Sequence, residues 1–232
     1  EVSGFGADFS ARYGLLFEQL ELNIEGTYQN DTFTDSRSAI PLENSRSNFK
    51  SVTLGAKYLL YDPYKNSEDE QPNLYSYWAN RKFKWKELIP AVAIYVGANF
   101  DTKGNPYTAA GVEGFSPKVM VATQHNLVGG WVLVMNFLKD RIGSDQSDFQ
   151  YLVTLTKSIN QQWVGFGETQ GIQSDFYADN LFRFGGAYLW SKDFQLDTAL
   201  TVNTKDTPSV FNVSLGASYR FDMHQDKEID NN

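Results

Sequence analysis

The stretch Phe211-Asn212-Val213-Ser214-Leu215-Gly216-Ala217-Ser218-Tyr219-Arg220-Phe221 decides how this chain is read. Phe211, Val213, Leu215, Ala217, Tyr219 and Phe221 share one parity, and Asn212, Ser214, Gly216, Ser218 and Arg220 share the other. A period of two places the two sets on opposite faces of a strand, one oily and one wet. The preceding segment does the same, with Phe194, Leu196, Thr198, Leu200 and Val202 opposite Gln195, Asp197, Ala199, Thr201 and Asn203, after the short turn Ser191-Lys192-Asp193. Leu20 to Tyr28 and Val52 to Leu60 follow the same rule. Weaker alternation runs through Phe5 to Tyr13, Leu88 to Phe100, Lys118 to Leu127, Trp131 to Leu138, Phe149 to Ile159, Trp163 to Gln170 and Leu181 to Trp190. The total is about eleven strands of roughly the 9–11 residues that cross an outer membrane.

Composition removes the competing classes. No cysteine is present, so a disulfide-stapled miniprotein is excluded. The longest apolar run, Leu88 to Val96, contains Pro90 and falls far short of the roughly 20 residues of a spanning helix. Only a β-barrel could carry this chain across a bilayer. A net charge of -8 argues against nucleic acid, which demands a basic face. The opening Glu1-Val2-Ser3-Gly4-Phe5-Gly6 has neither the basic start nor the apolar core of a signal peptide, which decides nothing, since a mature exported chain would have lost one.

The connections predict the architecture. Those near 14–16, 128–130, 159–162 and 191–193 read as tight, and those at 29–48, 101–115, 139–148, 171–180 and 204–210 as long and polar. Short periplasmic turns at one rim and extended outer loops at the other are the pattern of an antiparallel, up-and-down transmembrane barrel. Its domain spans 1–221, and an acidic polar tail follows at 222–232. The long segment 61–87 falls where a tight turn is due, and the alternation survives only if it starts and ends on the same side. The strand beginning near Phe5 then runs inward, so an even barrel of about twelve strands expects one further strand, either before Glu1 or from another segment. Aromatics cluster at both strand ends as interfacial girdles do: Phe17, Tyr61, Trp131, Trp163, Trp190, Phe194 and Phe221 by the tight rim, and Tyr28, Phe100, Phe137, Phe149, Phe182 and Phe211 by the other. A soluble carbohydrate-binding sandwich is the distant alternative.

Ala11 to Leu22, then Leu54-Gly55-Ala56-Lys57-Tyr58, then Ile89-Pro90-Ala91-Val92-Ala93, and finally Phe194-Gln195-Leu196-Asp197 with Gly216 to Phe221, resemble the outer-membrane transporter family named after the MetA pathway of phenol degradation. The order and spacing match across about 4–60 and 88–221. The resemblance implies an integral outer-membrane barrel of a Gram-negative bacterium, with uptake of aromatic or other hydrophobic small molecules. The chain departs from the family in lacking the first strand, in the long 61–87 and in continuing past Phe221. A tail after the terminal aromatic points to a lineage with relaxed insertion rules, such as Bacteroidota.

No enzyme chemistry is legible, and no cofactor is expected. The two histidines, His125 and His224, offer almost no ligands for a His/Cys metal site. His125 shares the oily parity of Val119 and Val121, where a neutral interfacial imidazole is the ordinary reading. No Ser/His pair of the kind used by membrane lipid hydrolases surrounds it. Gly4-Phe5-Gly6 and Gly165-Phe166-Gly167 precede no helix and are not phosphate loops.

The expected lumen carries Asp8, Arg12, Glu21, Glu25, Lys57, Lys118, Glu168, Arg183, Asp197 and Arg220, which lie on the polar parity of their strands. They either set the selectivity of a passive pore or close the lumen as ion pairs. Val164 and Phe166 share parity with Glu168, so the interior is partly apolar there. Within 61–87, Tyr75, Tyr77, Trp78, Arg81, Phe83 and Trp85 are candidate contacts for an envelope protein partner, since aromatic and Arg side chains make interface anchors. Two functions follow as expectations: a transporter-like pore, or a non-conducting accessory barrel of a secretion or motility machine, using 61–87, the outer loops or the tail as contacts. In both, outer-membrane lipid surrounds the wall.

Overall fold

The computed structural model describes residues 2–15, 19–35, 42–64, 85–108, 112, 114–206 and 209–221. The architecture is all-β: eleven strands form one curled antiparallel sheet in strict sequence order, the wall of an up-and-down barrel. They are β1 Val2–Gly14, β2 Leu20–Asp35, β3 Leu42–Tyr61, β4 Ala91–Asp101, β5 Gly114–Leu127, β6 Trp131–Asp140, β7 Asp148–Ser158, β8 Trp163–Ser174, β9 Ala178–Leu189, β10 Phe194–Asn203 and β11 Phe211–Tyr219. Among the described residues the remaining element is a 3-10 turn, Trp85–Leu88. No described helix is long and apolar enough to cross a membrane. Ladder contacts join only successive strands, and β1 and β11 do not meet among the described residues. With an odd number of alternating strands, these two edges run in the same direction.

The strand ends that flank 15–19, 62–90, 128–130, 159–162 and 190–193 lie at one rim, and those that flank 36–41, 102–113, 141–147, 175–177 and 204–210 at the other. Two expectations are corrected here. The stretch 29–48 is mostly strand, because the β2–β3 ladder continues from Tyr28 opposite Phe49 to Asp35 opposite Leu42. The stretch 171–180 is likewise strand apart from 175–177, closed where the Ser174 N–H donates to the Tyr177 carbonyl at 2.8 Å and the Ser174 hydroxyl accepts from the Tyr177 N–H at 3.0 Å. Both extensions are largely polar on both faces, so they lack the alternation that marks a strand; backbone ladders hold them, joined by cross-strand side-chain contacts such as Thr32 with Ser45 at 3.2 Å and Tyr151 with Asn180 at 3.0 Å. At 128–130 the turn is tight because Gly129 and Gly130 adopt φ of 79° and 75°, a region L side chains rarely enter.

The described flanks of 62–90 are tied to the β5–β6 turn. The Asn126 N–H donates to the Tyr64 hydroxyl at 2.9 Å, and the Val128 N–H to Glu87 Oε2 at 3.1 Å. The segment therefore leaves and returns at the same rim. Pro90, which has no N–H to give a ladder, stands immediately before β4.

Burial is inverted relative to a water-soluble fold. The buried hydrophobics among the described residues are Ala93, Tyr95, Ala98, Val112, Leu138 and Ala187. The convex face instead presents Ile94, Val96, Val121, Leu155, Phe184 and Leu215, of which Leu215 is 85% exposed. His125 lies on this face, opposite Leu133. Trp163, Tyr188 and Trp190 stack at the rim that holds 190–193, with centroids 4.8 and 6.2 Å apart, and Lys157 lies 5.1 Å over the Trp131 ring. Phe9, Phe49 and Tyr28 cluster part-way along β1, β2 and β3, so Tyr28, expected beside the long-loop rim, lies within the ladder because β2 continues to Asp35. Phe17, one of the expected girdle residues, lies outside the described residues.

Candidate functional site: the concave face

Ladder register fixes what the concave face carries, because residues of one parity line up in rows across successive strands. One row runs Arg12, Asn23, Gly55, Gly97, Lys118. The next runs Glu21, Lys57, Tyr95, Met120, Leu138. A third, on the far side of the first, runs Glu25, Thr53, Asn99, Ser116. Gly55 and Gly97 are small for a reason: the Tyr95 ring lies across both, and a Cβ at either would strike it.

These rows curl around a cavity of about 570 Å³. Its β1–β3 wall is charged, with Arg12, Glu21, Glu25 and Lys57, and its β4–β7 wall carries Ala93, Met120, Ala122, Val134, Leu138 and Leu152, with Lys118 among them. None of the five charged side chains makes an ion pair or side-chain hydrogen bond among the described residues. Tyr95 Oη and Asn23 Oδ1 are buried there without a hydrogen-bond partner.

Elsewhere the concave face is closed by pairing. Arg183 bonds Glu168 and, at 2.7 Å, Gln170; the Thr154 hydroxyl donates to Glu168 at 2.6 Å, and Gln170 donates to Gln150 at 2.9 Å. Toward the rim of 102–113, the Thr53 hydroxyl donates to Asn99 at 2.6 Å and the Asn99 amide to Asp140 at 2.5 Å. Asp101 pairs with Arg141 at 3.7 Å, and Asp31 with Arg46 at 3.4 Å. The 102–108 loop is pinned over this end, its Asn105 donating to the Phe49 carbonyl at 2.6 Å and the Tyr107 hydroxyl to the Arg46 carbonyl at 2.9 Å.

The ten candidate lumen residues thus divide. Arg12, Glu21, Glu25, Lys57 and Lys118 converge on the cavity. Glu168 and Arg183 form a pair, Asp8 accepts from the Thr27 hydroxyl at 2.6 Å, and Asp197 lies over Gly216. Arg220 sits at the rim of 190–193, 3.4 Å from Asp193 and 63% exposed. Of the candidate partner contacts, Tyr75, Tyr77, Trp78, Arg81 and Phe83 lie outside the described residues, as does His224, while Trp85 opens the 3-10 turn and is 81% exposed.

Sequence reasoning missed Asn23, Tyr95 and Asn99, although each shares the interior parity of its strand. It also missed Asp101, Asp140 and Arg141, which sit in or beside stretches read as connections. In the short 175–177 connection, the Tyr177 hydroxyl donates to Asp179 at 2.6 Å, and Asn203 donates to the same carboxylate oxygen at 2.8 Å. Burial first, then the bond to Asp179 and its charge, push the Tyr177 phenol up to about 12.

With this geometry in place, the comparison with known families decides the lineage. The family described as "Putative MetA-pathway of phenol degradation" matches residues 2–221. The chain belongs to this family. The match covers all eleven strands of the wall. No curated protein matches the chain. Among the described residues no group of His, Asp and Glu is placed to hold a metal ion.

Proposed function

We propose that this member of the phenol-degradation family is an integral outer-membrane barrel that acts as a passive, non-enzymatic pathway for small molecules. The observation that carries the reading is the inversion of the wall, apolar outside and charged inside, around a cavity whose charges are left unpaired. An apolar convex face in water forfeits about 1.5–3 kcal/mol for each large side chain left unburied, a cost that a bilayer removes. Unpaired charges beside a water-filled space keep their hydration and act on whatever passes. The polypeptide is expected to migrate differently on unboiled and boiled gels, to need detergent, and to produce discrete openings in a planar bilayer. Heat-modifiable protein that stays silent would refute the pathway.

A second reading has its own observation. The linked pairs Asp101–Arg141 and Asn99–Asp140, with the 102–108 loop pinned above Phe49, close one end of the concave face. That closure favours a non-conducting accessory barrel of an envelope machine, with 62–90 as its contact. Co-purification of an envelope protein that is lost on deletion of 65–84 would support it.

A further inference from the structure

The cavity on the concave face gathers five charged side chains that have no hydrogen-bond or ion-pair partner among the described residues. Outside it, Glu168 is hydrogen-bonded to Arg183, and Asp101 forms an ion pair with Arg141 at 3.7 Å. Around the cavity, Lys57 and Lys118 share space with a buried Tyr95 hydroxyl that has no acceptor. A buried O–H without an acceptor is costly, and the cost is lifted when a ligand oxygen arrives. The cations Arg12, Lys57 and Lys118 outnumber the carboxylates Glu21 and Glu25, so the balance at the cavity favours an anionic head. The facing wall carries an aliphatic patch, Met120, Leu138 and Leu152, in the rows that continue from Tyr95 and Ala93, with Gln124 and Asn136 beside it. Water alone suits the charged half and wastes the aliphatic half; a bare anion does the same.

We propose that this cavity is a binding site for amphipathic organic anions: a carboxylate head held by Lys57, Lys118 and the Tyr95 hydroxyl, and an apolar body against Met120, Leu138 and Leu152. The site deepens the pathway reading and relies on it only for the route by which the ligand arrives. Two charged hydrogen bonds fix the head, and the width of the aliphatic wall leaves the body loosely specified, so the site selects by charge and polarity distribution more than by shape.

Isothermal titration calorimetry on the folded protein in detergent, with an empty-micelle blank, tests it using four probes: hexanoate, 1-hexanol, hexylamine and acetate. Hexanoate is expected to bind at least about tenfold more tightly than each of the others. Lys57→Gln and Lys118→Gln are each expected to weaken hexanoate about fivefold or more, leaving 1-hexanol unchanged. Hexylamine matching hexanoate, acetate matching hexanoate, or a Lys57→Gln/Lys118→Gln double variant that binds hexanoate like the parent would each overturn the proposal. The probe comparison needs no variant, so a substitution that blocks folding does not shield the idea. Hexanoate binding by a barrel that never conducts would sink the pathway and leave the site standing; conduction without hexanoate preference would do the reverse.

Discussion

Val96 offers the sharpest test of which medium surrounds the wall. It lies at the middle of β4, points to the convex face, is 58% exposed, and stands between Ala56 of β3 and Val119 of β5. In water, replacing a residue this exposed by Arg is nearly neutral, within about 0.5 kcal/mol. The less than half of Val96 that touches neighbours is covered again by the aliphatic stem of Arg. In a bilayer the same position sits near the midplane, where an arginine on a barrel exterior costs about 2–4 kcal/mol. The folding equilibrium in vesicles is therefore expected to fall roughly 30- to 1000-fold for Val96→Arg. Denaturant unfolding of vesicle-inserted protein, followed by tryptophan fluorescence and by mobility on unboiled gels, measures it. Thr156→Arg on β7 is the control, since Thr156 faces inward opposite Val132 and is expected to cost far less. A Val96→Arg protein as stable as the parent would refute the claim that the convex face meets lipid.

Three further outcomes follow from named contacts. Arg183→Ala removes the bonds to Glu168 and Gln170 and leaves a carboxylate that is 16% exposed without its cation, so unfolding in detergent is expected to be easier by about 2–3 kcal/mol. Adding Glu168→Gln should recover part of that loss, and additive losses would count against the pair. The three atoms nearest a Cβ at Gly55 all belong to the Tyr95 side chain, whereas those nearest one at Gly97 include the Leu54 carbonyl oxygen at 2.9 Å. Gly55→Ala and Gly97→Ala should each lower the unfolding free energy by about 1–3 kcal/mol, and Tyr95→Ala should rescue the first more fully than the second. The Tyr177 phenol, raised from 10.0 to about 12, makes its bond to Asp179 fully effective below pH 10 and loses it as pH rises through about 12. An ultraviolet difference titration of parent against Tyr177→Phe should show the lost phenol ionising near pH 12; a difference centred at pH 10 would contradict the burial argument.

The fold was legible because the concave and convex faces differ so strongly in chemistry. From β10 and β11 alone the parity of Leu196, Leu200, Val213 and Leu215 specifies strand, face and register. The signal fades where that contrast vanishes. From Asp31 to Asp35 and from Leu42 to Arg46 both faces are largely polar, so the residues there do not distinguish strand from loop. Parity also placed Lys57, Lys118 and Glu25 on one face, but it carries no distance between strands that are far apart in sequence. The division between paired and unpaired charges therefore became visible only with register and side-chain geometry in hand. Tyr95 shows the same limit: its phenol ring looks like one more strand aromatic until two glycines from neighbouring strands are seen beneath it.

An odd wall has a polarity that an even one lacks. β1 and β11 both run from the rim of 36–41 toward the rim of 15–19, so both open edges present backbone groups of the same sense. Only a strand travelling the opposite way can pair antiparallel with both. Two copies of this sheet standing the same way up offer each other edges of identical sense, so they cannot zip together into a larger antiparallel ring. Among the described residues the seam therefore excludes antiparallel pairing with a second copy standing the same way up, and admits antiparallel pairing only with a strand of opposite direction.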